Sequence, residues 1–512
     1  MSPSWLYIPA SSSASSSASS SVAGVFDIFI GRSLNGTGGY QDVSYVSNSG
    51  GSVTSYGNTA DIMETTLGNY DLAWNTFSQR QWSDGYWNKA NITERGGEGN
   101  FGFPMYYSRG AFWLAPFDNK LVVSATTFNP VSDSLSHLRF YESDTPSGLT
   151  LDTTLDIPEP GVTGAEYNIA FSVDSSSDYL YIGGKIRSAH GISAEGLVRW
   201  DGSTWENLSE NASHWPQRMH LHNIDAKNRV RTIRTGYTNK IKEYQGSTGD
   251  ILVGGDFFLG NAGETAIESG SGSSDTNKPD YSSFILTDKN HGLGGIYRLI
   301  VDTGDIITPK PGTTAAAYNG DTDEVLTTTY PPVIDFDVDS SGTIYVGGRF
   351  ENAYGQQYNS IAKWSGSSAD SLATLSTGLV ADVTSAMPFV SSVNVDSNDN
   401  VYITGSLVAA GGVSCDYVTK WNGATFESVG ITDENRPPEV ISDAKIDSSD
   451  RLYAVDVTGS IRMWDGSEWG VVASDVTQGN TFSYDADGPL VPQFQGQMFV
   501  LYLDENNEVP RP

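Results

Sequence analysis

The sequence predicts an all-β fold, on three observations: a turn-rich and helix-poor composition, short β-branched and aromatic runs, and one strand-turn-strand unit repeated along the chain. The 512 residues include 55 Gly, 26 Tyr and 12 Trp, and only 18% are charged. Long stretches of Ala, Leu, Glu and Lys, which favour helix, are missing.

The clearest unit runs Asp335-Phe336-Asp337-Val338-Asp339-Ser340-Ser341-Gly342, then Thr343-Ile344-Tyr345-Val346-Gly347-Gly348-Arg349-Phe350, and ends Ile361-Ala362-Lys363-Trp364-Ser365-Gly366. Four other blocks lie on it. They are marked by Tyr179-Leu180-Tyr181-Ile182-Gly183-Gly184, Ile251-Leu252-Val253-Gly254-Gly255, Val401-Tyr402-Ile403-Thr404-Gly405 and Leu452-Tyr453-Ala454-Val455. A weaker block precedes them, with Phe112-Trp113-Leu114, Leu121-Val122-Val123 and Leu138-Arg139-Phe140-Tyr141. Trp364, Trp421 and Trp464 recur at the length of a four-stranded blade.

Each run has a physical reading. The first alternates apolar and polar and ends in an Asp-Ser-Ser-Gly type turn, a hairpin signal. The second is short and apolar, as for an inner strand buried on both faces. Its Gly-Gly ending permits close backbone packing between neighbours. The third sets Trp before an Asp-Gly or Asn-Gly turn, so that a large ring fills the gap to the next unit. Leu299 replaces that Trp in one block, and Ala454-Val455 replaces the Gly pair in another. One unit cannot cover its own apolar faces, so the units must pack in a ring. The expectation is a β-propeller of six to eight four-stranded blades with an extended N-terminal arm.

The chain divides into a Ser/Ala-rich arm over 1–24, an aromatic-rich β segment over 25–110, and the propeller over 111–512. A polar insertion near 261–290 reads as a surface excursion. Two apolar runs near the chain ends, Val25 to Ile30 and Met498 to Leu501, are candidates for strands that close the ring and remove its open edges.

Net charge is −32, from 61 acidic against 29 basic side chains. Such a surface repels phosphate, so nucleic-acid binding is not expected. No apolar run is long enough to span a bilayer, so membrane insertion is not expected either. Cys415 stands alone, which rules out an intrachain disulfide. The start, Met1-Ser2-Pro3-Ser4-Trp5, lacks the basic and apolar regions of a secretory signal.

The repeat resembles the short propeller unit V-Y-V-G-G-x-F…I-A-x-W-x-G of bacterial surface proteins, fungal cortical markers and tailed-phage structural proteins, over about residues 111 to 472. The resemblance implies a non-enzymatic structural or adhesive protein of a phage virion, made in the host cytoplasm and placed at the tail. Its arm, with Trp5 and Tyr7, would attach it to other tail proteins. A cell-surface carbohydrate-active propeller enzyme and a bacterial surface interaction module are the alternatives.

For contact with a partner or host glycan, the turn Ser83-Asp84-Gly85 with Trp82, Tyr86 and Trp87 offers rings suited to stacking. A basic residue precedes the Trp-equivalent in five blocks: Arg139, Arg199, Arg298, Lys363 and Lys420. Strand alternation points these away from the Trp rings. Pairing with blade carboxylates such as Asp174 or Asp337 is expected, and a ring of anion-binding cations is the alternative. Of His214, His220 and His222, the last two would share one strand face as a metal pair, without a third ligand. The loops at Asp337–Gly342 and Asp396–Asn400 have the oxygens calcium needs but lack a closing bidentate Glu, so turns explain them without metal. No catalytic residue, cofactor or metal is assigned. No Gly-x-Ser-x-Gly elbow, phosphate loop or His-Glu-x-x-His motif is present in the sequence.

Overall fold

The computed structural model describes strands and turns that lie, with gaps, between residues 27 and 55, 109 and 151, 169 and 208, 237 and 256, 296 and 309, 333 and 381, 388 and 474, and 498 and 505, and the statements below concern only the described residues. Every regular element among them is a β-strand. The chain begins with β1 (Asp27–Leu34), β2 (Val43–Ser47) and β3 (Val53–Ser55). A meander follows of β4 (Arg109–Phe117), β5 (Lys120–Asn129), β6 (Ser134–Thr145) and β7 (Gly148–Leu151).

The same antiparallel meander then recurs. First come β8 (Ile169–Ser175) and β9 (Leu180–Lys185), a small hairpin of β10 (Ser188–Ala189) and β11 (Ile192–Ser193), then β12 (Leu197–Trp200) and β13 (Trp205–Asn207). Next are β14 (Tyr237–Glu243), β15 (Ile251–Asp256), β16 (Ile296–Ile300) and β17 (Asp305–Ile307). The third copy is β18 (Val333–Val338), β19 (Ile344–Gly348), the hairpin β20 (Asn352–Ala353) and β21 (Gln356–Gln357), then β22 (Ile361–Trp364) and β23 (Ala373–Thr374). After β24 (Leu379–Val380), the fourth has β25 (Phe389–Val395), β26 (Val401–Ser406), the hairpin β27 (Ala409–Ala410) and β28 (Val413–Ser414), then β29 (Val418–Trp421) and β30 (Phe426–Ser428). The last is β31 (Ile441–Ile446), β32 (Leu452–Asp456), β33 (Ile461–Trp464) and β34 (Trp469–Ala473), and β35 (Met498–Asp504) ends the described chain.

The first strands pack on one another in sequence: β4 on β8, then β14, β18, β25 and β31. β31 packs on β35, and β35 packs back on β4, so the cycle closes. Closure joins the two ends of the described chain. β35 pairs antiparallel with β1, Ile28 opposite Leu503 and Ile30 opposite Leu501, and β1 also reaches β4 through Ser33 and Leu34. Ile28 and Leu501 are buried with Tyr453, Val455 and Ile461 of the neighbouring sheet.

The second runs of the repeat are buried from end to end in β19, β26 and β32. They are second in each sheet rather than innermost, because the polar first runs take the axial place. The tryptophans of the third strands fill the gaps between sheets. The ring of Trp200 lies 5.2 Å from Phe117 of the preceding sheet, and Trp364 is buried with Tyr244 and Leu252 of the sheet before it. Leu299, at the Trp position opposite Ile251, is buried in the same role.

The Gly pair has a steric cause. A Cβ at Gly254 would meet Val333 and Phe336 of the next sheet at 2.8 Å, and one at Gly347 would meet Val393 at 2.7 Å. Replacing Gly347 by Ala should therefore cost about 1–3 kcal/mol by overpacking, read as a lowered urea midpoint. The register places Val455 and Asp456, rather than Ala454 and Val455, at the positions of this pair. A side chain fits there because the neighbouring sheet is the one formed by β1 and β35, whose Ile28 and Leu501 pack around Val455.

Candidate functional site

The first strands share an irregularity that builds the centre of the ring. In each of β4, β8, β14, β18, β25 and β31 the register to the second strand shifts just before Trp113, Ser172, Lys240, Asp335, Ser392 and Asp443, respectively. A bulge adds an unpaired residue and re-aims the side chain that follows. At four of these six places the re-aimed residue is polar and reaches the next or preceding sheet.

Asp335 is the centre of this belt. Its carboxylate, 1% exposed, accepts from Phe336 N at 2.9 Å and Val393 N of the next sheet at 2.9 Å, and pairs with Lys240 of the preceding sheet at 2.7 Å. Two residues on, Asp337 accepts from Val395 N at 2.8 Å and pairs with Lys242. Ser392 donates to Ala444 O at 2.9 Å, and Ser391 donates to Ile441 O at 2.8 Å. Asp443 accepts from Leu501 N at 2.8 Å and pairs with Lys445 at 2.9 Å. Side chains thus tie sheet to sheet from β14 through to β35.

Beside this belt lies a channel of about 610 Å³ to which β4, β8, β14, β18, β25, β31 and β35 all contribute. Of the belt residues Lys240, Lys242, Asp337 and Lys445 line the channel, while Asp335, Ser392 and Asp443 are buried behind its wall. Its wall carries Lys240, Lys242 and Lys445 among carboxylates, while β4 presents Leu114, Ala115 and Pro116. At its mouth the hairpin turns clasp one another. Ser340 donates through N and Oγ to Asp399 at 2.8 and 2.7 Å, and Ser397 does the same to Asp450 at 2.8 and 2.6 Å. Ser448 repeats the clasp on Glu505.

Charge follows from this geometry. Burial alone would lower the Lys240 pKa, but Asp335, with Asp337 and Asp174 beyond it, outweighs burial and raises it. Burial alone would raise the Asp337 pKa, but Lys242, Lys240 and the Val395 N–H hold it below the usual carboxylate range. A folded pKa below the unfolded value means stability that is present above the unfolded pKa and lost as pH falls through the folded one. The thermal midpoint should accordingly lose this contribution below about pH 4, and Asp337→Asn should flatten that part of the curve relative to wild type.

Three of the repeated basic residues pair with blade carboxylates, though not with the two named from sequence. Arg199 pairs with Glu206 at 2.7 Å, Lys420 with Glu427 at 2.6 Å and Arg298 with Asp250 at 3.0 Å, instead of with Asp174 or Asp337. They sit on third strands opposite Tyr181, Tyr402 and Leu252, and Lys363 sits opposite Tyr345. None of these four lines the channel, so they form no convergent ring of cations there. Arg139 holds the same third-strand place, opposite Val123, and its side chain lies outside the described set.

Trp5, Tyr7, Trp82, Tyr86, Trp87, the three histidines, the arm and the 261–290 insertion also lie outside the described residues. The loops that invited calcium are fastened by their own backbone. Asp339 Oδ1 accepts from Ser341 N at 3.0 Å and Thr343 N at 2.8 Å, and Asp396 Oδ1 accepts from Asn398 N at 2.9 Å and Asn400 N at 2.8 Å. Among the described residues, no group of three or more His, Cys, Asp or Glu is placed to hold a metal. No helix there is long and apolar enough to cross a membrane.

No protein-family model and no curated protein matches the chain. Among solved structures it is similar to the computationally designed protein Ika8, at 10% identity and a TM-score of 0.33, over 69% of this chain and 70% of that one. It is also similar to YCF48 bound to D1 peptide, at 9% identity and a TM-score of 0.34, over 73% of this chain and 84% of that one.

Proposed function

We propose that the chain is a seven-bladed β-propeller, its last blade made from β35 and β1–β3, and that it is a rigid, non-catalytic docking platform. In this reading it belongs to the tail of a phage virion, is anchored by residues 1–24, and offers its surface to tail proteins or a host glycan. The observation that carries the platform reading is the commitment of the channel groups to cohesion. A glycosidase needs two carboxyl groups, one kept protonated and both open to substrate. Here Asp337 is held by Val395 N and Lys242 of neighbouring sheets, and Asp174 accepts from Glu243 N of the next sheet. Behind the wall Asp335 and Asp443 bind N–H groups of the following sheet and the lysines Lys240 and Lys445, the latter on the same strand as Asp443. At the mouth, Asp450 and Glu505 hold serine clasps, and Asp447 holds Arg451 N at 2.9 Å. The virion assignment rests on the V-Y-V-G-G…I-A-x-W-x-G resemblance.

Electron microscopy of the native particle tests it: ring-shaped density fitting this chain at the tail is expected, with residues 1–24 against a neighbouring protein. Absence of the chain from purified particles would overturn the virion reading. Hydrolysis of host glycans that is lost on substituting channel carboxylates would overturn the non-catalytic one.

A further inference from the structure

The turns after the third strands follow one design with different residues. Asp201-Gly202, Asn422-Gly423 and Asp465-Gly466 each place a left-handed glycine after a side-chain oxygen that caps the turn. Asp201 Oδ1 accepts from Ser203 N at 2.8 Å and Thr204 N at 2.7 Å, and Asp465 Oδ1 accepts from Ser467 N at 2.8 Å and Glu468 N at 2.9 Å. Asn422 Oδ1 does the same work, accepting from Ala424 N at 3.0 Å and Thr425 N at 2.9 Å. A carboxylate suits this position better than an amide, because it is the stronger acceptor of N–H bonds. The Asp201 and Asp465 pKa values are accordingly lowered, chiefly by the backbone N–H donors of Thr204 and Glu468.

We propose that Asn422 is a site of spontaneous deamidation whose aspartate product this turn accepts. Three features expose it to the reaction. Residues 422–425 are all exposed. Gly423, at φ 91°, has nothing within 4 Å of where a Cβ would stand, so the turn is open on that side. The Gly423 N–H makes no hydrogen bond to a described residue, whereas the next two N–H groups are engaged. In the reaction the Gly423 nitrogen, having lost its proton to solvent, attacks the Asn422 side-chain carbonyl carbon. The new C–N bond closes a succinimide as ammonia leaves, and water opens that ring to aspartate or isoaspartate.

The fold already contains the product at an equivalent place. Lys420, Asn422 and Glu427 correspond to Arg199, Asp201 and Glu206, where an aspartate coexists with the cross-strand ion pair. The losses at position 422 are the bonds from Asn422 Nδ2 to Glu427 Oε1 at 2.6 Å and to Thr425 Oγ1 at 3.2 Å. Lys420 remains to hold Glu427, and Thr425 Oγ1 is left free to donate to the new carboxylate.

The test is a peptide map of the purified full chain held at mildly alkaline pH, beside the same chain unfolded in urea. The expected result is progressive conversion of the peptide containing Asn422 to the acid, no more than an order of magnitude slower in the folded chain than in the unfolded one. The variant Asn422→Asp should unfold at the wild-type urea midpoint. An Asn422 peptide that stays amidated in the folded chain while it converts in urea overturns the site. A folded-state conversion accompanied by a clearly lowered midpoint for Asn422→Asp overturns the claim that the turn accepts the product.

Discussion

Deleting residues 498–512 should abolish the cooperative unfolding transition seen by circular dichroism in urea. The deletion removes β35, which among the described strands alone both pairs with β1 and packs on the first strands β31 and β4. Without it Ile28, Tyr453, Val455 and Ile461 lose their cover, and the Asp443 carboxylate loses Leu501 N. A ring closed by its chain ends opens at one radial cut, leaving two unpaired sheet edges. The loss is then comparable with the whole stability of a domain, about 5–15 kcal/mol. The point substitution Leu501→Ala, at a side chain only 2% exposed, should keep the transition and cost about 2–5 kcal/mol. A deletion variant that unfolds with wild-type midpoint and steepness would mean that β35 does not close the ring.

Much of this architecture is legible in the residues, and the reasons for the gaps are physical. The second and third strands announce themselves because their burial and their Trp-turn chemistry are local properties: Ile344-Tyr345-Val346 and Trp364-Ser365-Gly366 carry their own explanation. The first strand β14 is not legible as a strand, since Thr238-Asn239-Lys240-Ile241-Lys242-Glu243 reads as polar surface. Only the ring supplies Asp335 and Asp337 as its partners. The same blindness hid which blade carboxylates the basic residues would meet. Arg199 and Lys420 find carboxylates on the short fourth strands, Glu206 and Glu427, too brief to be seen in advance. The turn clasps were written in the repeated Asp-Ser pairs, but their serines donate to the following sheet, a contact that no single repeat contains.

Replacing Asp335 by Ala should be the most damaging single substitution in the belt that joins the first strands, costing about 3–5 kcal/mol. The carboxylate is buried and serves three donors at once, so its removal leaves Val393 N and Phe336 N without this acceptor and the Lys240 ammonium with only its weaker attraction to Asp337 and Asp174. Most of the cost is the desolvated charge left behind rather than the lost attraction. Two further variants separate these terms. Asp335→Asn keeps an oxygen for one N–H and should cost less than the alanine. The double variant Lys240→Met with Asp335→Leu removes both charges and should recover most of the loss, leaving about 1–3 kcal/mol for the backbone N–H groups still without an acceptor. The decisive comparison is the double variant against Asp335→Ala by urea denaturation. If the double variant is no more stable, the ion pair is not what holds β14 to β18, and the belt works through its backbone contacts alone.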